Sequence, residues 1–497
     1  MSLTAGADVG GHLRAVARGS AGTMAGAVLS TVAGFGLVLV VTRSVSPDTA
    51  GRFFAASAVF LVALAASGLG TDTGLARFVL RSGDPAPAVW LLRIAAVPVL
   101  VTSGLVALAL ALAWPDTRWF VWALPLAAAS DLCLATVRAH AQFRSTVLID
   151  RVVRPLVQLG SVAVVVTIDQ SGAVLGGAWA AGYAVSALLS VRALRPVLRR
   201  GANRIGVGEE RTSPRAFWQF TWPRAVARIA QMAVQKLDIV VVAWLLSPTD
   251  AALYAVATRF VVFGQLANQA VSTVVQPRFT MILAARGEED PAALSRIFAV
   301  TTGWSMLLAW PVYLGVAAAP AGYLGWFGDA YVSGGTRAVA VVMCCGMLVA
   351  VASGPVDTLL LMTGRSGLSL ANTLVALVLD MGLCLVLVPR MGIAGAATAW
   401  VAAVVVRCLL AMRQLRTDIG LAVEGRALLG TAALPIGCIL VPVGAAQLAV
   451  GLTPTTWLLA CAGAGTVYLW AMWRLRRPLS VDVFVSGLRP GGERVPA

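Results

Sequence analysis

Long apolar runs alternate with short polar connectors over most of the chain. Each run has roughly the 20 residues that an α-helix needs to cross a bilayer, whereas a membrane β-barrel would show ~10-residue strands of alternating pattern. The pattern therefore predicts an all-α polytopic membrane protein. Its 14 predicted transmembrane helices lie at residues 20–42, 51–72, 89–112, 119–140, 152–168, 173–192, 222–246, 252–276, 297–318, 336–361, 368–388, 392–411, 426–449 and 455–473.

Two stretches of the pattern occur twice. The first corner, VTRSVSPDTAGRFFAASA at 41–58, and the second corner, VAWLLSPTDAALYAVATR at 242–259, both place Ser-Pro between two apolar runs. Proline cannot continue a helix, and serine can cap the next one. Small-residue runs also open the sixth and twelfth helices, GAVLGGAWAAG at 172–182 and GIAGAATAWVAA at 392–403. Matching positions of both repeats predict two parallel six-helix lobes, an architecture that transporters use.

The repeats and the connectors together predict how the chain is divided. Two C-terminal helices follow the second lobe, and the longest basic connector separates the lobes. The predicted parts are an N-terminal six-helix lobe (1–192), a cytoplasmic linker (193–217), a C-terminal six-helix lobe (218–411), helices 13 and 14 (412–478) and a cytoplasmic tail (479–497).

Composition agrees with this picture, and charge adds an orientation. Hydrophobic residues make up 59% of the chain and charged residues 12%, against roughly 25% in soluble proteins. The net charge of +16 does not indicate nucleic acid as a partner, because the arginines concentrate in alternate connectors. This positive-inside asymmetry predicts a multi-pass protein of the cell inner (plasma) membrane with both termini cytoplasmic. The basic connectors also favour contact with anionic membrane lipid.

The sequence argues against several kinds of catalytic site. The only lysine, Lys236, is followed by Leu237, so the chain has no Walker A phosphate-binding loop. The two histidines, His12 and His140, are far apart and form neither an HExxH zinc motif nor part of a plausible triad. We therefore expect a protein that is not an enzyme and needs no metal or cofactor.

The seventh predicted helix carries polar residues at depths where charge is expensive. Each intramembrane ionisable residue costs ~2.5–3.5 kcal/mol on insertion scales. A spacing of 4, 3, 4 and 3 places these residues within an arc of about 80° on one helix face. The two arginines could instead extend to the cytoplasmic surface. This polar stripe consists of Arg224, Arg228, Gln231, Gln235 and Asp238.

The eighth predicted helix carries an arginine that the first corner lacks. Arg259 aligns with Ala58 and is predicted ~10 Å below the outer end of its helix, at a depth similar to that of Asp238. Two interpretations remain open: a buried pair with Asp238, or a cationic site in a cavity. Farther along the helix a second polar stripe has the spacing 4, 3, 4 and comprises Gln265, Gln269, Ser272 and Gln276.

Single acids in three other helices are equally open to two interpretations. Asp131, Asp357 and Asp380 lie in the fourth, tenth and eleventh predicted helices. Each fits a bond to a neighbouring helix as well as it fits proton or ion transport.

Three segments resemble the multidrug/oligosaccharidyl-lipid/polysaccharide (MOP) exporter superfamily. They are LSTVAGFGLVLVVTRSVSPDTAGRFFAASAVF, KLDIVVVAWLLSPTDAALYAVATRF and GRSGLSLANTLVALVLDMGLCLVLVPRMGIAGAATAW. The resemblance is to its polysaccharide (Wzx-type) flippase branch. It implies a MATE-like fold and a flippase that moves an undecaprenyl-pyrophosphate-linked oligosaccharide across the cytoplasmic membrane by alternating access. Implied partners are a polysaccharide polymerase and glycosyltransferases.

Individual positions refine this resemblance. Arg259 matches an arginine that faces the cavity of the related lipid II flippases. Leu37 and Val38 stand where those flippases carry an Arg-Asp pair, and Gly51 stands where they carry an acid. The first helix also lacks the ion-binding acid of drug exporters. A lipid II flippase and a MATE-type small-molecule exporter are thus the alternatives, with a scaffold that does not transport as a third.

Physical chemistry and resemblance agree on the candidate substrate site. Arginine forks suit phosphate oxygens, and glutamines suit sugar hydroxyls. The residues predicted to bind the substrate are Arg259, Arg224, Arg228, Gln235, Asp238, Gln265 and Gln269.

Overall fold

A computed structural model describes residues 5–82, 86–140, 142–202, 213–284, 291–421 and 425–476. Throughout these ranges the regular elements are helices, and no strand occurs in them. The predicted all-α class is therefore confirmed.

Helices of the first half follow the predicted apolar runs, with short helical turns at the corners. A 3-10 turn at Pro115–Thr117 precedes the fourth run, and a π-helical stretch at Val147–Val153 opens the fifth. The α-helices are α1 (Ala5–Ser44), α2 (Pro47–Ser67), α3 (Thr71–Ser82), α4 (Ala86–Ala113), α5 (Arg118–Val121), α6 (Leu124–Ala139), α7 (Phe143–Thr146), α8 (Arg154–Val165), α9 (Gly172–Ala202) and α10 (Pro214–Leu245).

The second half continues in the same manner. A 3-10 turn lies at Asp329–Tyr331, and a π-helical stretch at Ile436–Leu440 joins two α-helices. The α-helices are α11 (Pro248–Ala257), α12 (Val261–Ala284), α13 (Pro291–Ala318), α14 (Pro320–Leu324), α15 (Gly334–Ala352), α16 (Val356–Met362), α17 (Ser366–Met391), α18 (Ile393–Ile419), α19 (Gly425–Pro435), α20 (Val441–Val450) and α21 (Pro454–Arg474).

Helix lies at each of the 14 predicted positions, but fewer segments qualify as membrane spans by length and apolarity alone. Among the described residues nine qualify, or ten if the bent pair 115–121 and 124–139 forms one span. Helix α10 is long, but it carries Arg224, Arg228 and Asp238, and the eighth run is broken into α11 and α12. The number of 14 transmembrane helices therefore stays a prediction.

Both Ser-Pro corners have the local structure that the sequence predicts. The Ser46 hydroxyl accepts a hydrogen bond from the Thr49 N–H at the start of α2 (3.3 Å). In the same way, the Ser247 hydroxyl accepts one from the Asp250 N–H at the start of α11 (3.1 Å). Each serine satisfies a backbone donor that the first turn of a helix leaves free.

The described chain forms two compact units, residues 22–255 and residues 1–21 with 256–497. An aromatic cluster of Phe53, Phe60, Phe120, Trp179 and Tyr183 packs within the first unit. In the second unit, buried side chains of α13 pack against those of α20 and α21.

The predicted division into six-helix lobes stays a prediction, because compact packing does not report on repeat symmetry. The predicted linker begins inside α9, which continues to Ala202. Linker residues 203–212 and the predicted tail, 479–497, lie outside the described residues.

Candidate functional site

Arg259 lies in a break of the eighth helix. Helix α11 ends at Ala257, and α12 begins at Val261. Between them the backbone makes tighter bonds to the third residue back: the Arg259 N–H donates to the Val256 carbonyl (3.1 Å), and the Val261 N–H donates to the Thr258 carbonyl (3.1 Å).

Two buried tyrosines hydrogen-bond to the backbone around this break. The Tyr323 hydroxyl donates to the Val256 carbonyl (3.0 Å). The Tyr313 hydroxyl donates to the Val261 carbonyl (3.3 Å). The Tyr313 ring approaches so closely that a Cβ at Gly264 would overlap its hydroxyl, so this position requires glycine.

The charge of Arg259 is not neutralised by the described residues of its own unit. Its side chain is partly exposed, and its Nε is buried without a hydrogen-bond partner. In the described part of residues 256–497, no carboxylate forms an ion pair with Arg259. The guanidinium can therefore receive an anion from outside the protein.

Asp238 has partners of its own in the unit 22–255. It is 5% exposed; one carboxylate oxygen accepts from the Tyr254 hydroxyl (2.8 Å) and the other from the Ile239 N–H (2.8 Å). The eighth helix starts at Pro248 rather than at the predicted 252, so Arg259 lies about 6 Å farther along its helix than the sequence analysis assumed. Tyr254, rather than Arg259, thus lies at the depth of Asp238 in the membrane-spanning segment.

The arginines of the seventh helix also contact neighbouring groups. Arg228 binds Asp72 of α3 (2.5 Å) and Asp131 of α6 (3.3 Å). Arg224 folds back over the Phe220 ring (3.4 Å to the ring centre) and donates to the Phe220 carbonyl. The predicted stripe is therefore divided: in this structure Arg228 and Asp238 connect helices within one unit.

The glutamines of the candidate site are exposed. Gln235 on α10 and Gln265 and Gln269 on α12 present their side chains outside the packed interior. Gln265 and Gln269 are one helical turn apart and so share a face of α12. The side chain of Gln276, the last member of the second stripe, lies outside what the structure describes.

The three single acids all have neighbours in the structure. Asp131 binds Arg228 (3.3 Å), and Asp357 binds Arg407 of α18 (3.6 Å). Asp380 accepts a weak hydrogen bond from the Cys384 thiol (3.7 Å). For these acids the contacts favour the interpretation as links to neighbouring groups.

Sequence reasoning missed Asp72, Tyr254 and Tyr323. Tyr254 had a usable signal, because Asp238 and Tyr254 stand at similar distances from the Ser-Pro corner on successive helices. Asp72 and Tyr323 had none, since each reaches its partner from a helix distant in sequence.

A protein-family profile described as "Polysaccharide biosynthesis protein" matches residues 58–324, more than half of the chain. The chain belongs to this family. A search of curated proteins found no match to it.

Solved structures share the fold at low sequence identity. A structure of the lipid II flippase MurJ in an inward closed conformation is 12% identical, with a TM-score of 0.66, and covers 93% of this chain and 99% of its own. A MOP superfamily transporter from Pyrococcus furiosus is 15% identical (TM-score 0.54; 82% and 95% covered). A MATE family transporter in an inward-facing conformation is 14% identical (TM-score 0.55; 81% and 98% covered).

These matches confirm membership of the MOP superfamily and the MurJ- and MATE-like fold. With its many apolar helices, this protein of the polysaccharide biosynthesis family is a multi-pass membrane protein. The family match and the fold shared with a flippase and with transporters agree with the prediction of a transporter rather than an enzyme. Structural similarity at 12–15% sequence identity shows the fold only, so the substrate has to be inferred from the residues of the candidate site.

Proposed function

We propose that this protein is a flippase for an undecaprenyl-pyrophosphate-linked oligosaccharide, a polysaccharide repeat unit, and that it works by alternating access. The observation that carries the proposal is Arg259, a cation in the break of an apolar helix that forms no ion pair with the described residues of its own unit. Membership of the polysaccharide biosynthesis family supports this class of substrate.

The chemistry of the substrate explains why a cation is needed there. A pyrophosphate carried into hydrocarbon without a partner loses its hydration at a cost that no lipid contact offsets. A guanidinium fork binds two phosphate oxygens at once, which strengthens and orients the contact. The amides of Gln265 and Gln269, exposed on the next helix, can donate to and accept from sugar hydroxyls.

Two alternative functions fit less well. A lipid II flippase, the activity named for the MurJ structure, would carry an acid at position 51 by the sequence resemblance. Gly51 packs so closely on the Pro248 carbonyl that this conformation has no room for any side chain. A drug exporter that takes cations would be opposed by the positive charge of Arg259.

For the remaining candidate residues we propose supporting roles. Gln235 and Arg224 of α10 would contact the substrate directly, whereas Arg228 and Asp238 would do so only after leaving their present partners. A membrane glycosyltransferase system that builds the lipid-linked oligosaccharide, and a polymerase that consumes it, are the proposed partners.

Orientation is also part of the proposal. Arginines concentrated in alternate connectors support an inner-membrane protein with both termini and residues 193–217 in the cytoplasm. In a variant whose native cysteines are replaced, a cysteine at position 207 should resist membrane-impermeant maleimide in intact cells. Rapid labelling there would contradict the orientation.

The test is complementation of a strain that lacks the protein. Arg259→Ala should abolish polymer export and cause lipid-linked oligosaccharide to accumulate, while abundance in the membrane stays normal. Arg259→Lys should restore export in part, because a point charge lacks the fork. The matched control is Arg337→Ala, which removes an exposed arginine at the start of α15 and should export normally. Normal export by Arg259→Ala would contradict the proposal.

A further inference from the structure

We propose that Tyr323 is a positioning residue for Arg259: its hydroxyl, which donates to the Val256 carbonyl, holds the eighth helix open at residues 258–260. The effect of Tyr323 on transport rests on the proposed function. Its effect on the helix break does not, and a separate experiment tests it.

The hydroxyl occupies the place of one missing helical hydrogen bond. In a regular α-helix the carbonyl of residue 256 would accept from the N–H of residue 260. Here the Tyr323 hydroxyl donates to that carbonyl (3.0 Å), and the backbone bond that it receives comes from the Arg259 N–H instead (3.1 Å). A group inserted into the ladder in this way is a recognised cause of a helix break.

The residues of the break do not cause it by themselves. Thr258, Arg259 and Phe260 include neither proline nor glycine, the usual helix breakers. The first corner supplies an internal comparison, because α2 passes without interruption through Ala58, the residue aligned with Arg259. The break thus occurs in the copy that has both the arginine and an inserted hydroxyl.

Tyr323 is held rigidly enough to act as a fixed insert. It is 3% exposed, and its ring packs edge-on against Phe260, Phe327 and Trp457, with ring centres 5.5–6.1 Å apart. Its helix, α14, opens with Pro320, which fixes the chain direction just before the tyrosine.

Loss of the hydroxyl should close the helix. Val256 and Phe260 are both buried, so without the hydroxyl the Phe260 N–H should bond the Val256 carbonyl in place of the present bond from the Arg259 N–H. Changing the turn at 258–260 from three to 3.6 residues per turn rotates the backbone by roughly 40–60°. The Arg259 side chain would then leave its present direction.

Hydrogen–deuterium exchange on the purified full-length protein tests the structural part. Tyr323→Phe keeps the ring and removes the hydroxyl, so exchange at the Phe260 amide should become slower. Tyr313→Phe is the matched control, because its hydroxyl bonds the Val261 carbonyl, which already lies inside α12. It should leave that exchange unchanged. Unchanged or faster exchange in Tyr323→Phe, or failure of that variant to fold, would overturn the proposal.

Binding of undecaprenyl pyrophosphate, measured in detergent, tests the link to Arg259. Tyr323→Phe should weaken binding about tenfold, as expected when a charge-assisted hydrogen bond is lost, and Tyr313→Phe should not. In an Arg259→Ala background Tyr323→Phe should cause no further loss, since it acts through the arginine. Slower exchange with wild-type binding in Tyr323→Phe would overturn the positioning role. Wild-type binding by Arg259→Ala would instead overturn the proposed function, leaving the exchange result to decide on the helix break.

Discussion

One tyrosine hydroxyl lies at or near each of two charged residues close to the second corner, Asp238 and Arg259. Tyr254 donates to Asp238, and Tyr323 donates to the Val256 carbonyl, three residues before Arg259. Both charges lie in apolar segments, Asp238 in α10 and Arg259 in the break between α11 and α12, where an ionisable group without partners is costly. Both carboxylate oxygens of Asp238 accept hydrogen bonds, whereas in the part of the chain that the structure describes the Nε of Arg259 has no hydrogen-bond partner.

The bond between Tyr254 and Asp238 gives a prediction about stability. Tyr254→Phe leaves one oxygen of a 5% exposed carboxylate without its donor, and the free energy of unfolding should fall by about 1–3 kcal/mol. Thermal unfolding of the purified protein measures the loss. Tyr331→Phe is the control, because its buried hydroxyl has no hydrogen-bond partner in the described structure, and its removal should be nearly neutral. Equal effects of the two substitutions would contradict this account.

At this scale the sequence predicts which residues carry charge but not all of their partners. Hydrophobicity alone places the start of the eighth helix at residue 252, four residues after the observed start at Pro248. This error predicts Arg259 at the depth of Asp238. The proline and its serine cap set the true start, and the error moves the arginine by about one helical turn. Asp72 as the partner of Arg228 depends on tertiary packing, which hydrophobic periodicity does not encode.

Among the elements, the two repeated corners pack on each other. Gly51, one turn into α2, lies against the carbonyl of Pro248, the first residue of α11. The absence of a side chain at Gly51 lets the backbones of α2 and α11 meet closely. The repeat that the sequence shows as a pattern is thus also a contact in the unit 22–255.

Adding one methyl group tests this contact. Gly51→Ala places a Cβ on the Pro248 carbonyl, and displacing the two helices should cost about 1–3 kcal/mol in the free energy of unfolding. Gly160→Ala is the control: it makes the same change inside α8, where a Cβ meets nothing, and should be neutral or stabilising. Wild-type unfolding of the Gly51→Ala protein would show that the two elements separate easily.

The sequence predicts where the helices lie, but it does not predict the break at 258–260 or the length of α9. Apolar periodicity locates helix at all 14 runs, because a membrane leaves the backbone few alternatives. It does not predict the break at 258–260, because the inserted hydroxyl comes from Tyr323, more than sixty residues away. It also ends the sixth helix at the last apolar residues, whereas α9 continues through arginines to Ala202.

For the whole molecule, the fold and family follow from patterns that extend over most of the chain. The repeats predict a transporter architecture, three segments resemble the MOP superfamily, and the family match and shared fold confirm that resemblance. The substrate depends on a few side chains and their charge, so it requires a direct functional test.

Flipping by the purified protein in liposomes tests the central claim most directly. A fluorescent undecaprenyl-pyrophosphate-linked oligosaccharide would be placed in one leaflet, and its appearance in the other would be followed with a membrane-impermeant quencher. We predict that the wild-type protein moves the lipid well above the rate of protein-free liposomes, that Arg337→Ala matches the wild type, and that Arg259→Ala falls to the protein-free rate. A wild-type rate equal to that of protein-free liposomes, or full activity of Arg259→Ala, would contradict the account.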